Sequence, residues 1–141
     1  MANSEAGASG GIVGALDRAH PYVLSLTRIM GGLLFLPHGT MKLFGFPDGN
    51  HMNVPWNSVI GAAGIIETVT GLLLILGFRT RLAAFIASGE MAVAYWWRHA
   101  PNHWWPDNNG GEPAVLFCFL FFYLVFAGGG PIALDRLFAK K

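Results

Sequence analysis

The chain has 141 residues, of which 53% are hydrophobic and 12% charged, and its formal net charge is +1. Soluble domains carry roughly a quarter charged residues, so a fold of this size in water has no means of hiding so much apolar surface. The near-neutral, dispersed charge gives no footprint for nucleic acid, and a single cysteine, Cys118, excludes a disulfide framework or a multi-cysteine metal site.

Residues 1–20 are expected to form a cytoplasmic N-terminal segment. They contain Glu5 and Asp17 and no basic leading region, so they do not read as a signal peptide. Residues 11–16 suit either a short helix on the membrane surface or a solvated stretch.

A membrane-crossing helix needs roughly 20 mainly apolar residues, and four segments approach that length: 21–44, 55–77, 80–97 and 113–127. The fourth is short and is stopped by Gly128, Gly129, Gly130 and Pro131. The expectation is an all-α fold, an integral membrane four-helix bundle over residues 21–131, followed by a cytoplasmic tail, 132–141.

Orientation follows from the basic residues, which gather in short cytoplasmic loops. With four crossings, Arg18, Arg79, Arg81, Arg136, Lys140 and Lys141 share one side and Lys42 and Arg98 the other, placing both termini in the cytoplasm. Trp56, Trp96, Trp97, Trp104 and Trp105 then meet at the external interface, where indole rings are favoured. The expected setting is multi-pass in a bacterial cytoplasmic membrane.

The link at residues 77–80 is short enough to make the second and third spans antiparallel neighbours, with Thr80 as the helix N-cap. Gly64, Thr68 and Gly71 on one span and Ala83, Ala87 and Ala94 on the other are the small residues expected to meet there. The fourth span spreads Phe117, Phe119, Phe121 and Phe122 around its circumference and is expected to face much lipid.

Ionisable groups at a bilayer centre cost at least ~2.5 to 3.5 kcal/mol, so Arg28, His38, Glu67 and Glu90 are the informative residues. Arg28, Gly31, Phe35, His38 and Lys42 lie on one stripe of the first span, and helical rise puts Glu67 and Glu90 near mid-membrane. Arg28 is expected to reach one of these glutamates, and His38 with Lys42 to form a second, shallower group. An ion pair that only fixes register and a polar cavity serving a ligand or a proton path are both compatible with this set. Pro37 is positioned to open the first span toward such a cavity. His99, His103 and Asp107, and likewise Asp48 and His51, read as loop residues, and no metal site is expected.

Four stretches carry a resemblance: RIMGGLLFLPHGTMK (28–42), GIIETVTGLLLILGFRTRLAA (64–84), EMAVA (90–94) and GGGPIALDRL (128–137). Together they resemble the DoxX family of small four-helix bacterial membrane proteins. One branch of that family resembles the membrane subunit of thiosulfate:quinone oxidoreductase, and another is linked with membrane oxidative-stress complexes. The resemblance implies a quinone-side subunit of an oxidoreductase, with quinone as a bound ligand, no cofactor held in the chain itself, and a redox protein as partner. His38 and Lys42 would then donate to a quinone carbonyl or small anion, Arg28 would act as counter-ion, and Glu67 or Glu90 would carry a proton. The same stripe also suits a small-solute or proton transporter, for which a homo-oligomer would be needed, and the small-residue faces suit a non-catalytic scaffold.

Overall fold

The computed structural model describes residues 11–47, 49 and 54–139, so Glu5, Asp48, His51, Lys140 and Lys141 lie outside the described residues. The described residues are helical, with no strand among them. Helix α1 (Ile12–Phe44) is one continuous helix of 33 residues that absorbs residues 12–16 and runs through both Pro21 and Pro37. The Ser25 and Thr40 hydroxyls donate to the Pro21 and Pro37 carbonyls, which helps satisfy backbone around each proline. Pro37 therefore leaves the helix unbroken.

Helix α2 (Val59–Leu76) starts at Ser58, whose hydroxyl accepts from the Gly61 amide at 3.0 Å, and stops at Gly77, a left-handed residue at φ 67°. Helix α3 (Thr80–Ala94) continues into a π-helical turn, Tyr95–His99. A short α4 (Pro106–Asn109) leads into α5 (Glu112–Ala127), which has Pro113 in its first turn and ends at Gly128. A final turn, α6 (Asp135–Phe138), follows. Among these helices α2 is the one both long and apolar enough to qualify by itself as a membrane span; α5 is apolar but shorter.

The helices pack as two tight pairs, α1 on α2 and α3 on α5, joined mainly where α2 meets α3. The first pair is built on glycines. A Cβ at Gly32 would lie 2.9 Å from the Gly71 carbonyl oxygen, and one at Gly39 would lie 2.6 Å from the Thr68 amide and 2.7 Å from the Gly64 carbonyl. Gly32 and Gly39, seven apart, thus meet Gly64 and Gly71, also seven apart, and the backbones approach as small residues permit in an apolar medium. This corrects the sequence expectation: the Gly64, Thr68 and Gly71 stripe faces α1 and not α3, because α2 has two neighbours and buries Glu67, Thr70 and Leu74 on a separate stripe.

Helix α5 leaves much of its apolar surface exposed, as expected, but keeps one buried stripe. Ala114, Phe121 and Leu124 are buried and Phe117 is half-buried, while Phe119 and Phe122 point outward. The core joins these to Phe35, Leu74, Ala83, Ala84, Ala87 and Met91, with Phe35 set edge-on to Phe121 at 4.8 Å between ring centres. Outside it, Leu26, Leu34, Leu72, Leu82, Phe85, Leu116 and Phe126 are exposed on the helices' outer faces, far more apolar surface than a soluble monomer leaves to water.

Candidate polar centre and the Arg28 clamp

The five residues singled out in the sequence separate into two places. Arg28 does not pair with Glu67 or Glu90. It is fully buried, and its guanidinium donates to four backbone carbonyls: Gly129 at 3.0 Å, Ile75 at 2.8 Å, and Leu74 and Ile132. Arginine's fixed fork of five donors suits this, since α2 ends there with carbonyls that no helical amide can reach. The expected counter-ion role is therefore replaced by that of a clamp between α1, the end of α2 and the segment after α5.

That segment, residues 128–135, lies across the end of the bundle like a strap. The Ser25 hydroxyl accepts from the Ile132 amide at 3.1 Å, and the amides of Leu134 and Asp135 donate to the carbonyls of Leu76 and Gly77. The Asp135 carboxylate accepts from the amides of Arg79 at 2.6 Å and Thr80 at 2.9 Å, capping α3 from a distance in sequence. Thr80, expected as the N-cap, is instead the first residue of α3 and is buried; the cap position is Arg79, at φ 50°, whose side chain makes no capping bond. Partial burial works to raise the Asp135 pKa, but the donated amides and the nearby Arg28 charge win and hold it below the usual carboxylate range. The Arg81 guanidinium caps the other helix end here, donating to the carbonyls of Val125 and Phe126.

The second place lies further along the bundle. Lys42 Nζ donates to both carboxylate oxygens of Glu67 at 2.5 Å, with Glu67 2% exposed and the Lys42 side chain 23% exposed. A lysine this near a helix end ordinarily extends outward to the headgroups. Here the stem leaves α1 beside Gly64, which has no side chain to block it, and turns inward to the acid. Glu90 approaches from α3, close enough for the charges of Glu67 and Lys42 to act on it, and its Oε2 is buried without a hydrogen-bond partner among the described residues. Three helices thus bring one cation and two carboxyl groups together, and one carboxyl oxygen is left over. His38, one turn before Lys42, is exposed and stands edge-on to Phe117 at 5.8 Å between ring centres.

Phe117 in turn stacks on Phe121 at 5.5 Å between ring centres and contacts Phe35 at 5.2 Å, so an aromatic layer crosses the bundle between α1 and α5. The loop histidines serve the loop: His99 Nδ1 is 3.1 Å from the Asn109 carbonyl, and His103 Nδ1 accepts from the Trp105 amide at 3.1 Å. Trp56, Trp96, Trp97, Trp104 and Trp105 are all exposed.

Sequence reasoning missed Asp135 and Ser25. The signal available for Asp135 was the tight turn at residues 77–80, which supplies no capping side chain of its own and so needs an acceptor from elsewhere.

A family model described as DoxX matches residues 23–100, which hold Arg28, His38, Lys42, Glu67 and Glu90. An uncharacterised protein of Haemophilus influenzae is 44% identical over 133 residues, covering 89% of this chain and 98% of its own length. No solved structure matches the chain. On the extent of both matches, the chain belongs to the DoxX family of membrane-associated proteins.

Proposed function

We propose that the chain is a multi-pass protein of the bacterial cytoplasmic membrane, crossing it with α1, α2, α3 plus its π turn, and α5, with both termini in the cytoplasm. The exposed apolar faces of these helices support the crossings, and the exposed tryptophans opposite the Arg79, Arg81 and Arg136 end support the orientation. Helix α5, at 16 residues, spans about 24 Å, so it crosses nearly upright or where the bilayer thins.

Within that setting the chain acts as the quinone-side membrane subunit of an oxidoreductase or oxidative-stress complex, with a redox partner carrying the cofactor. The observation that carries this reading is the polar centre: Lys42 is taken up by Glu67, and the Glu90 carboxyl is left with an unpartnered buried oxygen, the state of a group that serves something other than the fold. The exposed His38 over Phe117 offers a donor and a ring face to a flat carbonyl-bearing ligand.

Lipid extraction after purification in mild detergent tests it. Quinone should co-purify with the wild type, and added quinone should quench intrinsic tryptophan fluorescence saturably, with weaker binding in His38→Leu and Glu90→Leu. A quinone-free extract with no saturable quenching would refute the quinone role and leave the membrane topology standing.

A further inference from the structure

We infer that the Lys42, Glu67 and Glu90 centre opens only toward the end of the bundle away from the chain termini, so that Glu90 exchanges protons with that side alone. This rests on the reading of the centre as a working site, and it adds the direction of access.

The route toward the termini is closed by packing. Beneath the centre lie Thr70 and Leu74 on α2, Ala83, Ala84 and Ala87 on α3, Phe35 on α1, and Phe121 and Leu124 on α5, all 3% exposed or less. Glu90 is ten residues from the start of α3, so about 15 Å of this close-packed layer separates it from that end. Below the layer sits Arg28, with its donors committed to four carbonyls, and arginine does not release protons in proteins. The strap then covers the helix ends, held by Ser25 and Asp135. The packed layer itself holds no carboxylate, imidazole or amine among the described residues, and its Thr70 hydroxyl is committed to the Ile66 carbonyl.

The other direction is polar. Glu90 is nine residues, about 13 Å, from the end of the π-helical turn that continues α3, but it faces Lys42, which is partly exposed and two residues from the end of α1. The charged groups facing Glu90 are Glu67 from α2 and Lys42 from α1; α5 places Cys118 beside α3, at Ser88, as its only titratable side chain there among the described residues. A proton reaching the Glu90 carboxylate from water at this end neutralises it and leaves the Lys42–Glu67 pair intact, and the reverse step returns the proton to the same water. A ligand that gives up a hydroxyl proton at this centre therefore discharges it on the side away from the termini.

The test places a cysteine at the centre, Glu90→Cys in a Cys118→Ser background, in membrane vesicles of both orientations, and uses a charged, membrane-impermeant thiol reagent. Modification should be at least ten-fold faster from the face away from the termini. Equal rates, faster modification from the termini face, or no modification from either face would each overturn the inference. If Glu90→Cys does not fold, the carboxyl infrared band that Glu90→Gln removes is followed instead, after a pH jump on one face of oriented proteoliposomes. The band should respond only to jumps on the face away from the termini, and a response to the termini face would overturn one-sided access. Quinone binding does not enter either readout, so failure of the quinone role and failure of the access direction are seen separately. A C-terminal fluorescent fusion reports independently which compartment the termini occupy.

Discussion

Replacing Arg28 by methionine keeps an unbranched apolar stem and deletes only the guanidinium. Four backbone acceptors, Leu74, Ile75, Gly129 and Ile132, lose a charged donor at a position with no exposure. A hydrogen bond from a charged group contributes roughly 1.5 to 3 kcal/mol, so a simple sum would reach about 6 to 12 kcal/mol. Two effects reduce it. Bonds made by one planar group are not independent, and removing a buried cation also relieves its desolvation, which costs several kcal/mol. The expected net loss is about 3 to 5 kcal/mol, at the severe end for one substitution. Thermal or denaturant unfolding in detergent, followed by tryptophan fluorescence, measures it. Because the acceptors are carbonyls, adding Glu67→Gln or Glu90→Gln should recover nothing. A loss under about 1 kcal/mol, or rescue by either glutamine, would refute the clamp and restore an Arg28–glutamate pair.

Lys42→Met leaves the 2% exposed Glu67 uncompensated and should cost about 3 to 5 kcal/mol, while adding Glu67→Gln should recover at least half in the same unfolding assay. Gly39→Ala forces a methyl against the Thr68 amide and Gly64 carbonyl and should cost roughly 1 to 3 kcal/mol. Gly89→Ala meets nothing within 4 Å in mid-helix and should stabilise by about 0.5 to 1 kcal/mol, so equal effects at the two glycines would count against the α1–α2 contact. Asp135→Asn should cost about 1 kcal/mol through the α3 cap. The folded Asp135 pKa lies below its ordinary value, so its contribution is full above the unfolded pKa and is lost as the pH falls through the folded one. Unfolding between about pH 5 and pH 2 should therefore be less pH-dependent in Asp135→Asn than in the wild type, and identical acid limbs would exclude the cap.

The residues that matter were legible because charge is conspicuous in an apolar chain: Arg28, Lys42, Glu67 and Glu90 stand out in any reading. Their partners were not. Arg28 binds carbonyls, which every residue possesses and no sequence marks, whereas an acid is the partner its charge suggests. Depth along the helix groups Lys42 with His38 near the edge, and the close approach to Gly64 that lets it turn inward appears only once α1 and α2 are packed. The short link at 77–80 correctly implied neighbouring α2 and α3, yet adjacency does not say which stripe is shared. In α5, phenylalanine on both faces hides the period that separates Phe121 from Phe119. The all-helical character was readable throughout, since length, apolarity and glycine stops agree.

The clamp also sets an order of events in synthesis. On the proposed topology Arg28 enters the bilayer with the first helix, but two of its four acceptors are 101 and 104 residues further along the chain. Until residues 128–135 have been made and docked, the nascent protein carries a half-satisfied cation in its first helix and an uncapped third helix. Docking of this strap is therefore the step that makes the protein durable, and a chain ending at Ala127 should insert all four helices and still be cleared. Pulse-chase labelling would show it as a short lifetime for the truncated chain, and a half-life equal to that of the full chain would mean that the strap arrives too late to matter.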